Sequence, residues 1–295
     1  MKRMILTGAL ALAAGVSSLM AQAAPPKPPA PKSKDELAAV QALFTATRTG
    51  PDAVIKAAEE LITKFADTEF KDVALLSEAE AWQQKRDLDK AQVYAERALD
   101  ANPNNFQASL LLAELLAQRT RENDLDKEEK LAKSEKYAND TIQILKEAPK
   151  PNPQLSDQQW EDAKKDLTAE AHNALGLAAL TRKKYDVAIA EFKTAFEGTS
   201  QPEPAFQVRE ASALQLAGKN AESIAICDKV MANQQVLPQV RQVAQAIRAT
   251  AIKAGGKNTT PPAAPPAPAA AAPAAPAAPA APAAPAPPPP AEKKP

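Results

Sequence analysis

An all-α fold, a stack of similar helix pairs, is what residues 33–255 predict, and three observations predict it. Apolar residues recur there at spacings of three and four; no alternating β-branched run and no Asn-Gly hairpin signal interrupts them. The helical stretches end at proline, glycine or asparagine and come two by two. Laid in register, the pairs also match one another, which is the mark of a repeat array.

The two ends bound this array. Residues 1–23 place Lys2 and Arg3 before an apolar run, Met4 to Val16, and close on the small-x-small site Ala21-Gln22-Ala23. That order predicts a signal peptide, hence an exported and, in a bacterial setting, periplasmic protein. The alternative is an uncleaved inner-membrane anchor, because Met4 to Ala24 nearly reaches the ~20 residues a bilayer needs. Gly8, Gly15, Ser17 and Ser18 dilute the segment and favour cleavage. Residues 24–32 read as a proline-rich, disordered linker. Residues 256–295 read as a disordered Pro/Ala-rich tail, since alanine buries little area and proline removes backbone donors. Pro273, Pro276, Pro279, Pro282 and Pro285 recur every third residue, which suits polyproline II. From 261 to 290 such a helix reaches ~90 Å at ~3.1 Å per residue. It would act as a spacer, or as a cell-wall or envelope contact with Lys293 and Lys294 at its end.

Acidic and basic residues balance at 36 each, which argues against a nucleic-acid footprint. Removal of residues 1–23 takes Lys2 and Arg3 and no acid. Cys227 is the sole cysteine, so no internal disulfide forms and the fold rests on helix packing.

The elements follow in order. Ser33 and Glu36 have capping-box spacing, and Gly50-Pro51 ends the first helix. Residues 52–70 supply the second. In residues 72–87, Leu75, Leu76, Ala79 and Trp82 share one face. Residues 87–98 form the next helix, stopped at Asn102-Pro103. Leu112-Ala113 belong to a fifth helix. Residues 120–149 lengthen its partner, with Asp126–Lys130 and Glu129–Lys133 paired outside and Leu131, Ala138, Ile142 and Leu145 facing the stack. After a proline-punctuated loop, Ser156 and Gln159 start a helix that runs on through Ala171, Ala174, Leu175, Ala178 and Ala179. Residues 184–195 and 219–230 close the set, with stops between Gly198 and Pro202.

Setting 87–98 over 184–195 and 219–230 aligns three columns: Ala91, Ala188 and Ser223; Ala95, Phe192 and Cys227; Ala98, Ala195 and Val230. Twelve residues before the first column stand Ala79, Gly176 and Ala211. A Leu-Gly/Ala pair, a large residue three on, then Ala, aromatic, Ala and Pro resembles the tetratricopeptide repeat (TPR). The resemblance covers residues 33–255 and implies a right-handed α-solenoid of about four to five helix-turn-helix units. Leu175, Gly176, Ala188, Phe192 and Ala195 carry it best. Ala79, Trp82, Ala91, Ala98 and Pro103 form a second set, Leu112 and Ala113 open a third unit, and Ala211 marks a weaker one. All of these are repeat-packing positions by that resemblance. The chain also looks similar to secreted bacterial TPR proteins with a Pro/Ala-rich tail.

A TPR array implies a groove lined by the first helix of each unit, holding a protein segment or peptide. Carried onto this sequence, its positions are Leu76, Glu80 and Gln83; Leu110, Glu114 and Ala117; Asn173, Leu177 and Leu180; Val208, Ser212 and Gln215. Leu177, Leu180 and Val208 fit a plain core role as well. Of the lysine, arginine and asparagine set that clamps acidic C-termini in such domains, only Asn173 is present here, which disfavours an acidic ligand. No catalytic constellation assembles. His172 is the sole histidine and falls at a helix seam, and Cys227 reads as a buried thiol. No metal-ligand cluster and no phosphate-binding glycine loop stands out. The expectation is a non-catalytic scaffold without cofactor or metal, the alternative being an envelope-assembly or cell-wall-associated factor.

Overall fold

Helices fill the computed structural model, which describes residues 29–152 and 154–255. Eleven α-helices are present among them: α1 Lys34–Ala46, α2 Pro51–Lys64, α3 Lys71–Gln84, α4 Leu88–Ala101, α5 Phe106–Arg119, α6 Lys127–Glu147, α7 Asp157–Thr181, α8 Tyr185–Gly198, α9 Pro204–Leu216, α10 Asn220–Ala232 and α11 Pro238–Lys253. The described residues contain no strand and lie in one unit of the chain, Met1–Thr260. The proposed signal segment and tail, and residues 24–28 of the linker, lie outside the described residues.

Each helix packs on the next, so α1–α2, α3–α4, α5–α6, α7–α8 and α9–α10 form five stacked pairs, an α-solenoid, and α11 lies against both α9 and α10. The stacking follows from small residues. Ala91, Ala95 and Ala98 on α4, like Ala188, Phe192 and Ala195 on α8, are fully buried against the preceding helix and the following unit. Of the sequence-derived packing positions, Ala79, Leu112, Ala113, Gly176 and Ala211 are also buried, while Trp82 and Leu175 are half-buried. Pro103 is exposed. It contributes no packing surface, and its part is confined to the turn that follows α4, where a residue without an N–H and with fixed φ cannot continue a helix.

The turns repeat as well. Arg86, Lys183 and Gly218 each take a left-handed φ of 63°, 61° and 77°. After each, a backbone N–H reaches five residues back, from Asp87 to Trp82, Lys184 to Ala179 and Lys219 to Leu214. These bonds close the ends of α3, α7 and α9 in the same Schellman-like way.

Two polar series run along the stack. In the first, the second residue of α2, α4, α6 and α8 is acidic and binds a base at or just past the end of the next unit's first helix. Asp52 pairs with Lys85, Asp89 with Arg119 at 2.5 Å, Glu128 with Arg182 at 2.7 Å, and Asp186 with Lys219 at 2.9 Å. The last rung is neutral: Asn220 donates to the Ala254 carbonyl at 3.2 Å. In the second series a first-helix carboxylate, near the helix start in α1 and α3 and ten residues in for the long α7, accepts from the loop that leaves the same unit. Glu36 accepts from Thr68 Oγ1 at 2.6 Å, Asp72 from Asn102 and Asn105 at 2.8 and 3.0 Å, and Asp166 from Ser200 Oγ at 2.8 Å.

Ser156 and Gln159 form a complete capping box. Ser33 caps Glu36 N–H, but the Glu36 carboxylate does not return to Ser33; it is drawn to Lys32 N–H at 2.6 Å and to Thr68. Ala30 N–H donates to Glu69, and Lys32 Nζ to Asp67. The last residues of the segment read as linker are therefore tied to the α2–α3 loop. The outer pairs Asp126–Lys130 and Glu129–Lys133 form at 2.8 Å each, and Leu131, Ala138 and Leu145 are buried on the opposite face of α6.

Candidate functional site: the first-helix face

The face formed by α3, α5, α7 and α9 is not uniformly open. α7 is 25 residues long, because the stretch after the Ser156 cap continues into the Leu175 helix, and it packs on α5 as well as on α6 and α8. Its small residues Ala171 and Ala174 let it approach Leu110, Ala113 and Ala117 closely. In consequence every residue of α5 from Ala108 to Ala117 is buried.

The sequence-derived groove positions divide accordingly. Leu76, Leu110, Ala117 and Val208 are buried, so they serve the walls of the stack and are not free to line an open channel. Glu114 and Asn173 are buried too, at 6% and 4% exposure. Glu80, Gln83, Leu177, Leu180, Ser212 and Gln215 are half-buried. Leu177 and Leu180 pack in the cluster of Ala179, Ala188, Phe192 and Ala213. The half-open positions thus lie at α3 on one side and at α7 and α9 on the other.

On α9 stands a residue that the repeat columns did not flag, Arg209. Its guanidinium donates through Nη1 to Asn173 Oδ1 on α7. Burial presses its pKa downward, opposed by the negative charges of Glu114 on α5 and Glu203 just before α9. The hydrogen bond thus ties the first helices of two successive units, α7 and α9. A sequence signal for it existed: Arg209 stands two residues before the small residue Ala211, where the other units hold Ser77, Leu111 and Ala174.

The two residues considered for chemistry have structural surroundings. His172 is half-buried and meets the Glu191 carboxylate on α8, Nδ1 to Oε2 2.7 Å. It is thus a polar contact across the seam of α7 and α8. Cys227 is fully buried among Val208, Ala211, Val230 and Ala244, and burial pushes its thiol up to about 11. A thiol so shifted holds almost no thiolate at neutral pH. Among the described residues no group of three or more His, Cys, Asp or Glu side chains is placed to hold a metal ion, and no helix is long and apolar enough to cross a membrane.

No family model matches the sequence, and no curated protein matches it either. Among solved structures, the chain is similar to a thermophilic TPR protein from Thermus thermophilus. The TM-score is 0.50 at 15% identity, over 72% of this chain and 98% of that one. At that identity the likeness concerns the fold, which is a TPR-like helical repeat array.

Proposed function

We propose that this protein is an exported, non-catalytic scaffold that holds a protein or peptide segment on its first-helix face. A TPR-like fold suggests a protein–protein interaction scaffold in the first place. The observation that carries the finer reading is the division of that face. Polar side chains on α3, Glu80 and Gln83, and on α9, Ser212 and Gln215, stay half-buried, while α5 is sealed. Such half-buried polar side chains keep solvent contact, as the rim of a protein interface does. Export rests on the order of residues 1–23, and the intact mass of the purified protein, with or without that segment, decides it.

Substitution separates this face from the rest of the surface. In affinity capture from an envelope extract, a protein retained by the wild type is expected to be lost when Gln83 and Gln215 become Arg. Val93→Arg, on the exposed side of α4, should leave it bound. Equal retention by both variants would refute the assignment.

A further inference from the structure

The two ends of the stack differ from its flanks. Every second helix mixes basic and acidic side chains on its exposed side, as α2 does with Lys56 and Glu60 and α10 with Glu222 and Lys229. The outer sides of α1 and α11 are uncharged for about two to three turns. On α1 the exposed positions between Glu36 and Arg48 are Ala38, Gln41, Ala42 and Thr45, which share one face at helical spacing. On α11 the matching stripe is Gln239, Gln242, Val243, Ala246 and Thr250, with Val243 50% exposed. Both arginines of α11 are turned inward. Arg241 donates to the carbonyls of Asn233, Gln234 and Val236, and Arg248 pairs with Asp228 at 2.6 Å. A terminal repeat that faces water needs a polar outer side, and charge serves solubility best. Depletion of charge is instead the mark of an interface centre.

We infer that the array associates with itself head to tail, the outer face of α11 in one copy docking on the outer face of α1 in the next. Net charge selects this arrangement. Residues 29–70, which hold α1 and α2, contain seven acids and five bases, whereas residues 229–255, which hold α11, contain four bases and no acid. Like ends therefore repel and unlike ends attract, which disfavours α1 on α1 and α11 on α11. Ala38 and Ala42 on one stripe and Ala246 on the other permit a close approach of the two helices, as Ala91 and Ala188 do inside the stack. One helix face on each side buries less than the ~1,200 Å² of a stable complex, so the association is weak and depends on concentration. Each contact uses two different faces, so every oligomer keeps one free α1 and one free α11 and growth stays open. The inference goes beyond the scaffold reading and does not rest on it.

Sedimentation equilibrium of the purified protein tests it. The weight-average mass of the wild type should at least double between about 10 µM and about 1 mM, the range of a weak interface. Ala42→Arg and Ala246→Arg put bulk and charge where the two stripes must meet, and each variant should stay monomeric. Val93→Arg, on the exposed side of α4, should associate like the wild type. An equimolar mixture of Ala42→Arg and Ala246→Arg should rise towards twice the monomer mass and stop there, because one intact α11 face and one intact α1 face remain. All of these positions are exposed, and circular dichroism checks that each variant keeps its helices. Gln41→Arg and Gln242→Arg, on the same stripes, serve in place of a variant that does not fold. A wild type that stays monomeric throughout, or association indifferent to both stripes, overturns the inference. So does one blocked variant that still dimerises by itself, or a mixture no heavier than its parts.

Discussion

Gly176→Ala sets two physical effects against each other with opposite sign. Alanine in a helix interior is favoured over glycine by about 0.5–1 kcal/mol, so local propensity alone predicts a more stable protein. Packing predicts the reverse. A Cβ at 176 would stand 2.5 Å from Phe192 Cε1, 2.6 Å from Cδ1 and 3.0 Å from Cζ. Carbon contacts settle near 3.5–4.0 Å, so the ring must retreat by about an ångström. It has little room to do so, being fully buried with Ala179, Ala188 and Ala213 around it. Overpacking of this kind costs about 1–3 kcal/mol. Set against the propensity gain, the net loss is about 1–2 kcal/mol. Urea unfolding followed by circular dichroism measures it directly, and the melting temperature should fall by about 2–8 °C. Phe192→Leu shortens the side chain and removes the clash, so the double variant should recover about 1–2 kcal/mol relative to additivity. Gly176→Ala as stable as wild type, or more so, would refute the reasoning.

Three further outcomes are expected. Burial raises the pKa of Glu78 above its ordinary value near 4.5, in spite of hydrogen bonds from Tyr94 and Trp82. Its contribution to stability is full below that value and is lost as pH rises through the raised one. Urea midpoints across pH 4–8 should therefore slope less in Glu78→Gln, and a variant weaker than wild type at pH 7 would count against this account. Cys227, with its thiol pushed from 9.0 to about 11, should react with iodoacetamide at pH 8 about a hundredfold slower than an ordinary thiol on thiolate fraction alone. Equal native and unfolded rates would contradict its burial. Arg182, only 10% exposed and bound to both Glu128 and Glu135, should cost about 1–2 kcal/mol on replacement by alanine. Replacing Lys219, whose pair with Asp186 is largely exposed, should cost less than about 1 kcal/mol; equal losses in urea unfolding would refute the distinction.

The helices and their repeat were legible because they rest on spacing. Ala79, Ala91 and Ala98 recur at intervals that hold only if helix pairs stack, and the long α7 followed from unbroken periodicity after the Ser156 cap. What depended on side chains crossing between units was not legible. Leu110 and Glu114 read as groove lining because the repeat columns place them there, but α7 closes over α5 at Ala171 and Ala174. Arg209 escaped notice because its partner, Asn173 on α7, lies 36 residues earlier in the sequence. Glu36 read as half of a capping box, and only the fold shows that Thr68 competes for its carboxylate.

The ladder of ion pairs along the stack makes the array a chain of coupled units, each tied to the next by a similar rung. In a one-dimensional system, cooperativity is set by the weakest nearest-neighbour link. The rung from α10 to α11 is an uncharged hydrogen bond, but a second link crosses the same joint, the ion pair of Arg248 on α11 with Asp228 on α10 at 2.6 Å, sheltered from solvent. Each of the four charged rungs instead has one partner largely exposed, so ionic strength should loosen them more than this pair. As salt rises, hydrogen exchange should therefore quicken at those four joints more than between α10 and α11.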